Sequence, residues 1–449
     1  MTLPRSEGDA VGAQPVPVGA AMRRIPVRWK IYSLTFVLGS FAYLQQRTIP
    51  VAAYRMMPEL GLSQMQIGWL ETAFIIGYTV MQFPGGVLGQ RFGARVSFTG
   101  ISVLAFAAML LTPLAPYVLH AGALFGALFA LQLALGFAQA PIFPLSAGIY
   151  ETWFVPQLWP LVQGMQSMGL QLGAALTPPL IAWLMAISSW QQAIVWTTLP
   201  FALLIVLWAW YARDVPAEHP GVSAKELAAL GEHAEARVDA RITWRRVAAL
   251  LKDRDLLALT LSYTCMNYVF YLVANWVFLY LVQERHLTML ESGWLAAIPP
   301  LTSGLGAGAG GWMASALVKR RGTRWGLHIV PLLSLPTAGL LLIGAGQASQ
   351  AYLAVGALAL CYALVEVNEG PYWAAGMHLG RADTMAATGI LNTGGNAGGL
   401  IATPIVAYLS GHQAWMSAFL LGTAFAVASA ALWLLVDPTR RLRSEPRGG

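Results

Sequence analysis

Charge is scarce in this sequence. Its 449 residues carry 27 basic and 20 acidic side chains, 10% of the total, where water-soluble domains carry about 25%. That shortfall excludes the two or three soluble domains that the length alone would suggest. Cysteine is nearly absent. Cys265 and Cys361 both sit in apolar runs, which excludes a disulfide framework and a cysteine-based metal site. The sequence also lacks a metal-ligand cluster, a G-x-S-x-G elbow and a Walker loop, so an intramembrane enzyme and an ATP-driven pump are both disfavoured and no cofactor is expected.

What is abundant is apolar. Hydrophobic residues make up 57% of the chain, with 17 Trp among them. An apolar helix needs about 20 residues to cross a bilayer. Apart from a polar start (1–30), a charged middle stretch (213–254) and a tail (437–449), the chain divides into twelve such spans. They form an all-α membrane protein with six helices in 31–212 and six in 255–436. Arg23, Arg24, Arg28 and Lys30 run straight into a first span too long for a signal peptide, so that span is expected to remain in the mature protein.

The charges set the orientation. With both termini on one side, 24 of the 27 basic residues fall on that side, all except Arg47, Arg55 and Arg285. The positive-inside rule makes it the cytoplasmic side. The net charge of +7 is thereby a mark of topology, and no nucleic-acid partner is expected. The lipid bilayer is the expected surrounding, in a bacterial inner membrane. In the middle stretch, Ser223-Ala-Lys-Glu226 reads as a capping box opening a helix over 226–237. Thr243 opens a basic amphipathic segment suited to the inner headgroup layer. Residues 1–20, rich in Pro, Gly and Ala, read as disordered.

The two halves repeat. Leu62-Ser-Gln-Met-Gln-Ile-Gly-Trp-Leu70 parallels Leu287-Thr-Met-Leu-Glu-Ser-Gly-Trp-Leu295 at an interval of 225, and Gly85-Gly86 meets Gly310-Gly311 at the same interval. Gln166, Gly169, Gly173, Thr177 and Pro178 match Asn392, Gly395, Gly399, Thr403 and Pro404 at 226, and Gln139-Ala-Pro141 matches Glu369-Gly-Pro371 at 230. Parallel six-helix repeats belong to secondary transporters, with substrate held between the halves near the midplane. The repeated glycines suit helices that approach closely and slide.

These motifs resemble a known family. Gly86-Val-Leu-Gly-Gln90-Arg91-Phe-Gly93-Ala-Arg95 is similar to the loop signature of the major facilitator superfamily. Within it, four stretches resemble the anion:cation symporter family: Gly68-Trp69-Leu70 with Phe74 and Gly77-Tyr78; Gly136-Phe-Ala-Gln139-Ala-Pro-Ile-Phe-Pro144; Asp214-Val-Pro-Ala-Glu-His-Pro with Glu226; and Gly389-Ile-Leu-Asn392-Thr-Gly-Gly-Asn396. The resemblance implies a carrier of sugar acids or aromatic carboxylates, usually moved with protons, and an anion-binding arginine at Arg47. Where the family has acids, this chain has Gln46, Gln139, Gln90 and Ser315, and Gln132 replaces an arginine. An amide cannot titrate, so the proton has no place at those positions.

Ionisable residues at membrane depth are costly, about 2.5–3.5 kcal/mol each, and by default functional. Arg47, Glu366 and Glu369 lie deepest. Glu71, Glu59, Arg55 and Glu291 fall near span ends, where interfacial solvation accounts for them. A guanidinium grips a carboxylate through two parallel hydrogen bonds, which fits Arg47 as substrate anchor; pairing with a helix carbonyl, Glu366 or Glu369 is the structural alternative. Glu369, with Glu366 one turn earlier, is the candidate proton carrier, against a uniporter or exchanger in which one acid neutralises Arg47. Tyr78, Gln166, Asn392 and Asn396 are candidate substrate contacts. The expected function is a monomeric secondary transporter of a small organic anion. Export of amphipathic or cationic compounds and a non-transporting sensor are the alternatives.

Overall fold

The computed structural model describes residues 25–231 and 242–440, and every regular element among them is helical. The first half comprises α1 (Val27–Leu60), α2 (Gln64–Phe92), α3 (Ala94–Val118), α4 (Ala121–Gln139), α5 (Ile142–Trp153), α6 (Trp159–Ile187) and α7 (Trp190–Tyr211). Two short helices follow, α8 (Ala224–Leu230) and α9 (Trp244–Lys252). The second half comprises α10 (Arg254–Gln283), α11 (Met289–Ala296), α12 (Ile298–Gln347), α13 (Ala351–Glu366), α14 (Glu369–Gly380), α15 (Thr384–Gly411) and α16 (Trp415–Trp433).

Twelve crossings result. Within α12, Gly322 adopts φ 77 and ψ 168, a left-handed-side backbone that only glycine takes up without strain, and the chain turns back there. Eight helical stretches among the described residues are long and apolar enough to cross a membrane, and two of them, 57 and 61 residues long, have the length to do so twice. α1 and α2, at 34 and 29 residues, complete the set although their charges dilute their hydropathy.

The halves are built alike. Ser63 caps α2 with Gln66 returning the bond, and Thr288 caps α11 with Glu291 returning it. These two capping boxes stand 225 residues apart, the interval of the repeat. Gly85 lies so close to the Pro141 ring, and Gly310 to the Val367 carbonyl, that neither has room for a side chain. Likewise Gly86 sits on the Met385 carbonyl of α15, and Gly311 on the Pro160 carbonyl of α6. The second crossing of each half thus packs against the break in its own fourth crossing and against the fifth crossing of the other half.

Those breaks correct the repeat alignment. The fourth crossing is interrupted between α4 and α5, and the tenth between α13 and α14. The Gly85–Pro141 and Gly310–Val367 contacts relate these crossings at an interval of 226, so Gln139 corresponds to Val365, next to Glu366 and one helical turn from the Glu369 that the Gln-Ala-Pro/Glu-Gly-Pro match selects. Register follows the helix break, and the proline motif falls on different turns of the two halves.

The middle segment departs from expectation in one bond. Ser223 caps α8, but Glu226 does not return the bond; its carboxylate accepts from the Val27 and Arg28 amides at 3.2 and 3.0 Å, capping α1. That placement follows from electrostatics, since a carboxylate is stabilised at a helix N-terminus. α8 ends at Leu230, and the remainder of the expected helix lies outside the described residues, as do residues 1–20. α9 starts after Thr243 as expected, burying Val247 and Leu250 while Trp244 stays 84% exposed. Arg246 turns from any headgroup layer to Asp383, making two contacts of 2.9 and 3.0 Å. Asp214 accepts from the Arg95 amide at 2.7 Å, tying the loop after α2 to the chain leaving α7. Burial raises the Asp214 carboxyl above the usual carboxylate range, opposed by that amide and the Arg95 guanidinium.

Candidate functional site

A cavity of about 640 Å³ lies between the halves, lined from α1, α2, α5, α6, α10, α13, α14 and α15. Its size is that of sites for small molecules. Its floor is Phe143 of α5 stacked on Trp373 of α14, with ring centres 4.8 Å apart and planes at 13°. Below this floor the halves close on each other at the face that carries Arg91, Arg95, Arg246 and Arg381, here called the basic face.

Arg47 stands on the wall of this cavity. It is exposed there and, among the described residues, makes no hydrogen bond or ion pair within 4 Å. An unpaired guanidinium held on a wet wall between two membrane-embedded halves is ready for an anion, because a carboxylate arriving there loses little water and gains two charge-assisted bonds. Glu366 and Glu369 line the same cavity, buried to 3% and 6% exposure. Glu369 accepts from three donors: Tyr263 hydroxyl at 2.9 Å, Trp373 indole N–H at 2.8 Å and Ser167 hydroxyl at 3.3 Å. Tyr263 and Trp373 belong to the second half and Ser167 to the first, so one carboxylate bridges the interface between the halves.

Tyr78, Asn392 and Asn396 all reach the cavity wall. Asn392 donates to the Gln82 side chain across the halves, and the Asn396 side-chain oxygen accepts from Tyr271 hydroxyl at 3.1 Å. Gln166 does not line it. It is fully buried, accepts from Tyr150 hydroxyl at 2.6 Å and packs on Gly39, which makes it a tie between α6, α5 and α1. Its helix neighbours Ser167 and Gln171 face the cavity instead.

Glu71, near the start of α2, also lines this cavity. It shares the cavity wall with Arg47 and feels its charge. Asn267, Asn275, Tyr43 and Tyr271 add amides and phenols to the lining. Of the family-acid positions that are glutamine here, Gln46 lines the cavity, while Gln139 is buried and donates to the Ala42 carbonyl at 2.9 Å. The site therefore combines one cation, three carboxylates and many neutral hydrogen-bonding groups.

The basic face is sealed by a pair of matched bonds. Gln90 donates to the Ala382 carbonyl just before α15, and Ser315 donates to the Gln157 carbonyl just before α6. Donors and acceptors are both related by 225 residues. Each neutral bond contributes about 0.5–1.5 kcal/mol, so losing both is expected to shift the closed state by about 2 kcal/mol, roughly 30-fold. In a chain lacking Cys265 and Cys361, both buried, Met385→Cys at this seam should react with a thiol reagent at least tenfold faster once Gln90→Ala and Ser315→Ala are added. An unchanged rate would show that the two bonds do not hold the face shut.

Comparison with known proteins places this geometry in context. The family model described as Major Facilitator Superfamily matches residues 35–385. The chain is 25% identical over 450 residues to "Probable galactarate/D-glucarate transporter GudP" of Escherichia coli, covering 95% of this chain and 97% of that protein. It is 25% identical to "Probable sulfoacetate transporter SauU" of Cupriavidus necator, covering 86% and 88%, and 25% identical to "Hexuronate transporter" of Bacillus subtilis, covering 90% and 93%. Among solved structures it resembles the transporter FucP in the outward conformation, with a TM-score of 0.69 at 16% identity over 91% of this chain and 99% of that one. It also resembles the proton:xylose symporter XylE, with a TM-score of 0.71 at 13% identity over 90% and 94%.

Proposed function

The chain belongs to the Major Facilitator Superfamily, and from that premise we propose that it is a secondary transporter of a small hydroxylated organic anion, working by alternating access with Arg47 as the anion anchor. The observation that carries this reading is Arg47 itself, the one cation among the residues lining the cavity. The names of the relatives agree in chemistry, since galactarate, glucarate, hexuronate and sulfoacetate are all organic anions. The amides and phenols around Arg47 suit the hydroxyl groups of a sugar acid.

The basic face is read as cytoplasmic, on the excess of Lys and Arg in its loops, with both termini there. The halves, 31–212 and 255–436, rock against each other as rigid units of a monomer. Binding at Arg47 happens while the basic face is sealed. A proton bound at Glu369 travels with the substrate: protonation removes the charge that strengthens its three hydrogen bonds, that of Ser167 across the interface among them, and so loosens the tie between the halves.

The test is uptake by purified protein in vesicles, with a panel of sugar acids and the neutral sugars of matching skeleton. The acid is expected to be taken up saturably and its uptake to be blocked by other carboxylates, while the neutral sugar competes at least 100-fold more weakly. Equal uptake of the neutral sugar would remove the role of Arg47. A second reading, export of amphipathic cations, draws on the three carboxylates Glu71, Glu366 and Glu369 in the same lining; it would be favoured if cations and no carboxylate exchanged across the vesicle.

A further inference from the structure

A second cavity of about 1050 Å³ lies on the basic face, outside the interface between the halves. The start of α1 forms one wall, the end of α7 another, and α8 the third. Four cations line it: Arg28, Lys30, Arg213 and Lys225. Lys30 and Lys225 have no ion-pair partner among the described residues, and the Nε of Arg28 is buried without an acceptor. The one carboxylate in the lining, Glu226, is committed to the Val27 and Arg28 amides. His219 forms part of the wall, its ring edge-on to Tyr211 with ring centres 4.7 Å apart. Burial, with Arg213 beside it, holds that imidazole below its ordinary histidine value.

This basic chamber opens onto a groove of a different character. About 390 Å³ in volume, the groove runs between α1 and α7 along Trp29, Leu34 and Val37 on one side and Leu204 and Leu207 on the other. Ile25, Lys30, Trp210 and Tyr211 line both, so the two are continuous. From Trp29 to Val37 the groove follows α1 for about 12 Å at 1.5 Å per residue. Trp210, 71% exposed, stands at the junction, where an indole prefers the boundary between headgroups and hydrocarbon.

A phosphate-sized anion fits the chamber and a hydrocarbon chain fits the groove; only a lipid has both joined. We infer that this chamber and groove form a binding site for one anionic phospholipid of the inner leaflet, with the headgroup phosphate among Lys30, Lys225 and Arg28 and one acyl chain between α1 and α7. The leaflet assignment rests on the cytoplasmic reading of the basic face given above, whereas the lipid chemistry rests on the chamber alone. The lipid would bridge α1 and α7 of the first half and α8 of the middle segment, and so tie that segment to the first half while leaving the seam between halves untouched.

The experiment uses delipidated protein in detergent and reads its melting temperature and its bound lipids by native mass spectrometry. Phosphatidylglycerol is expected to bind and to raise the melting temperature, whereas phosphatidylcholine, with no net charge, and inorganic phosphate, with no chain, are not. Lys30→Gln with Lys225→Gln should weaken phosphatidylglycerol binding roughly tenfold or more, at about one cation's contribution each. The melting temperature of this variant in phosphatidylcholine, equal to that of the parent, verifies its fold; if it falls, Lys225→Gln alone, on the exposed side of α8, serves in its place. Equal binding of phosphatidylcholine, full stabilisation by inorganic phosphate, or undiminished phosphatidylglycerol binding by the variant would each overturn the site. None of these readouts depends on transport, so the anion-carrier reading stands or falls separately.

Discussion

Arg47→Ala is expected to abolish carboxylate uptake while leaving the protein folded and in the membrane. The substrate's carboxylate would enter a cavity that holds three glutamates and no cation. Removing one partner of a hydrogen-bonded charge pair costs about 2–5 kcal/mol; a middle value of about 3 kcal/mol corresponds to a loss of roughly 100-fold in apparent affinity. Arg47→Lys should recover part of this, since an ammonium restores the charge without the planar fork. Initial rates of uptake against substrate concentration, normalised to protein in the membrane, distinguish the three chains. Folding should not suffer, because Arg47 makes no hydrogen bond or ion pair among the described residues. Full activity of Arg47→Ala would end its role as anchor, and faster export of a cation by the same variant would support the other reading.

Glu369→Gln is expected to separate transport from its driving force. In symport of one proton with a monoanion, each pH unit across the membrane supports about tenfold accumulation, equivalent to 1.36 kcal/mol. With an amide at 369 no proton can load there, so accumulation in an imposed pH gradient should fall to the level set by the substrate's own gradient. Exchange of labelled for unlabelled substrate needs no net proton movement and should persist. The amide keeps two of the three bonds, because its carbonyl oxygen in the place of Oε2 still accepts from Trp373 and Ser167, while its NH2 faces the Tyr263 hydroxyl, which can accept. Accumulation equal to the parent's would move the proton site elsewhere, with Glu366 the next residue to replace, since it lines the same cavity and lies next to the position matching Gln139.

Most of the architecture was readable from hydropathy because a bilayer imposes a length and an apolar composition on each crossing. The apolar runs at 96–116, 161–186 and 385–410, for example, fall inside α3, α6 and α15. The breaks in the fourth and tenth crossings carry Pro141 and Pro371, but their exact place was not readable: Pro141 caps α5 whereas Pro371 lies inside the first turn of α14, so the proline does not fix where the hydrogen-bond ladder is interrupted. In the site, the three residues that depth along a span singles out, Arg47, Glu366 and Glu369, all line the cavity. Glu71, near the start of α2, lines it too, which depth does not indicate because helix packing decides it. Gln166 failed for a rotational reason: it lies five residues from Gln171, about 140° around a helix of 3.6 residues per turn, so the two cannot share a face. Ser167, four residues from Gln171, does share one, and it is Ser167 that meets Glu369.

The paired closure of the basic face has a bearing on regulation. Gln90 and Ser315 hold it through an amide and a hydroxyl, each donating to a backbone carbonyl. Neither group titrates, and neither is screened by salt. These two bonds are electrically silent: they carry no response to acidity or ionic strength of their own. At this face such a response falls to the ionisable groups beside them, Glu151 of α5 facing Thr384 and Asp383 of the other half, and the Arg246–Asp383 pair, so that the lock and its sensor are separate parts.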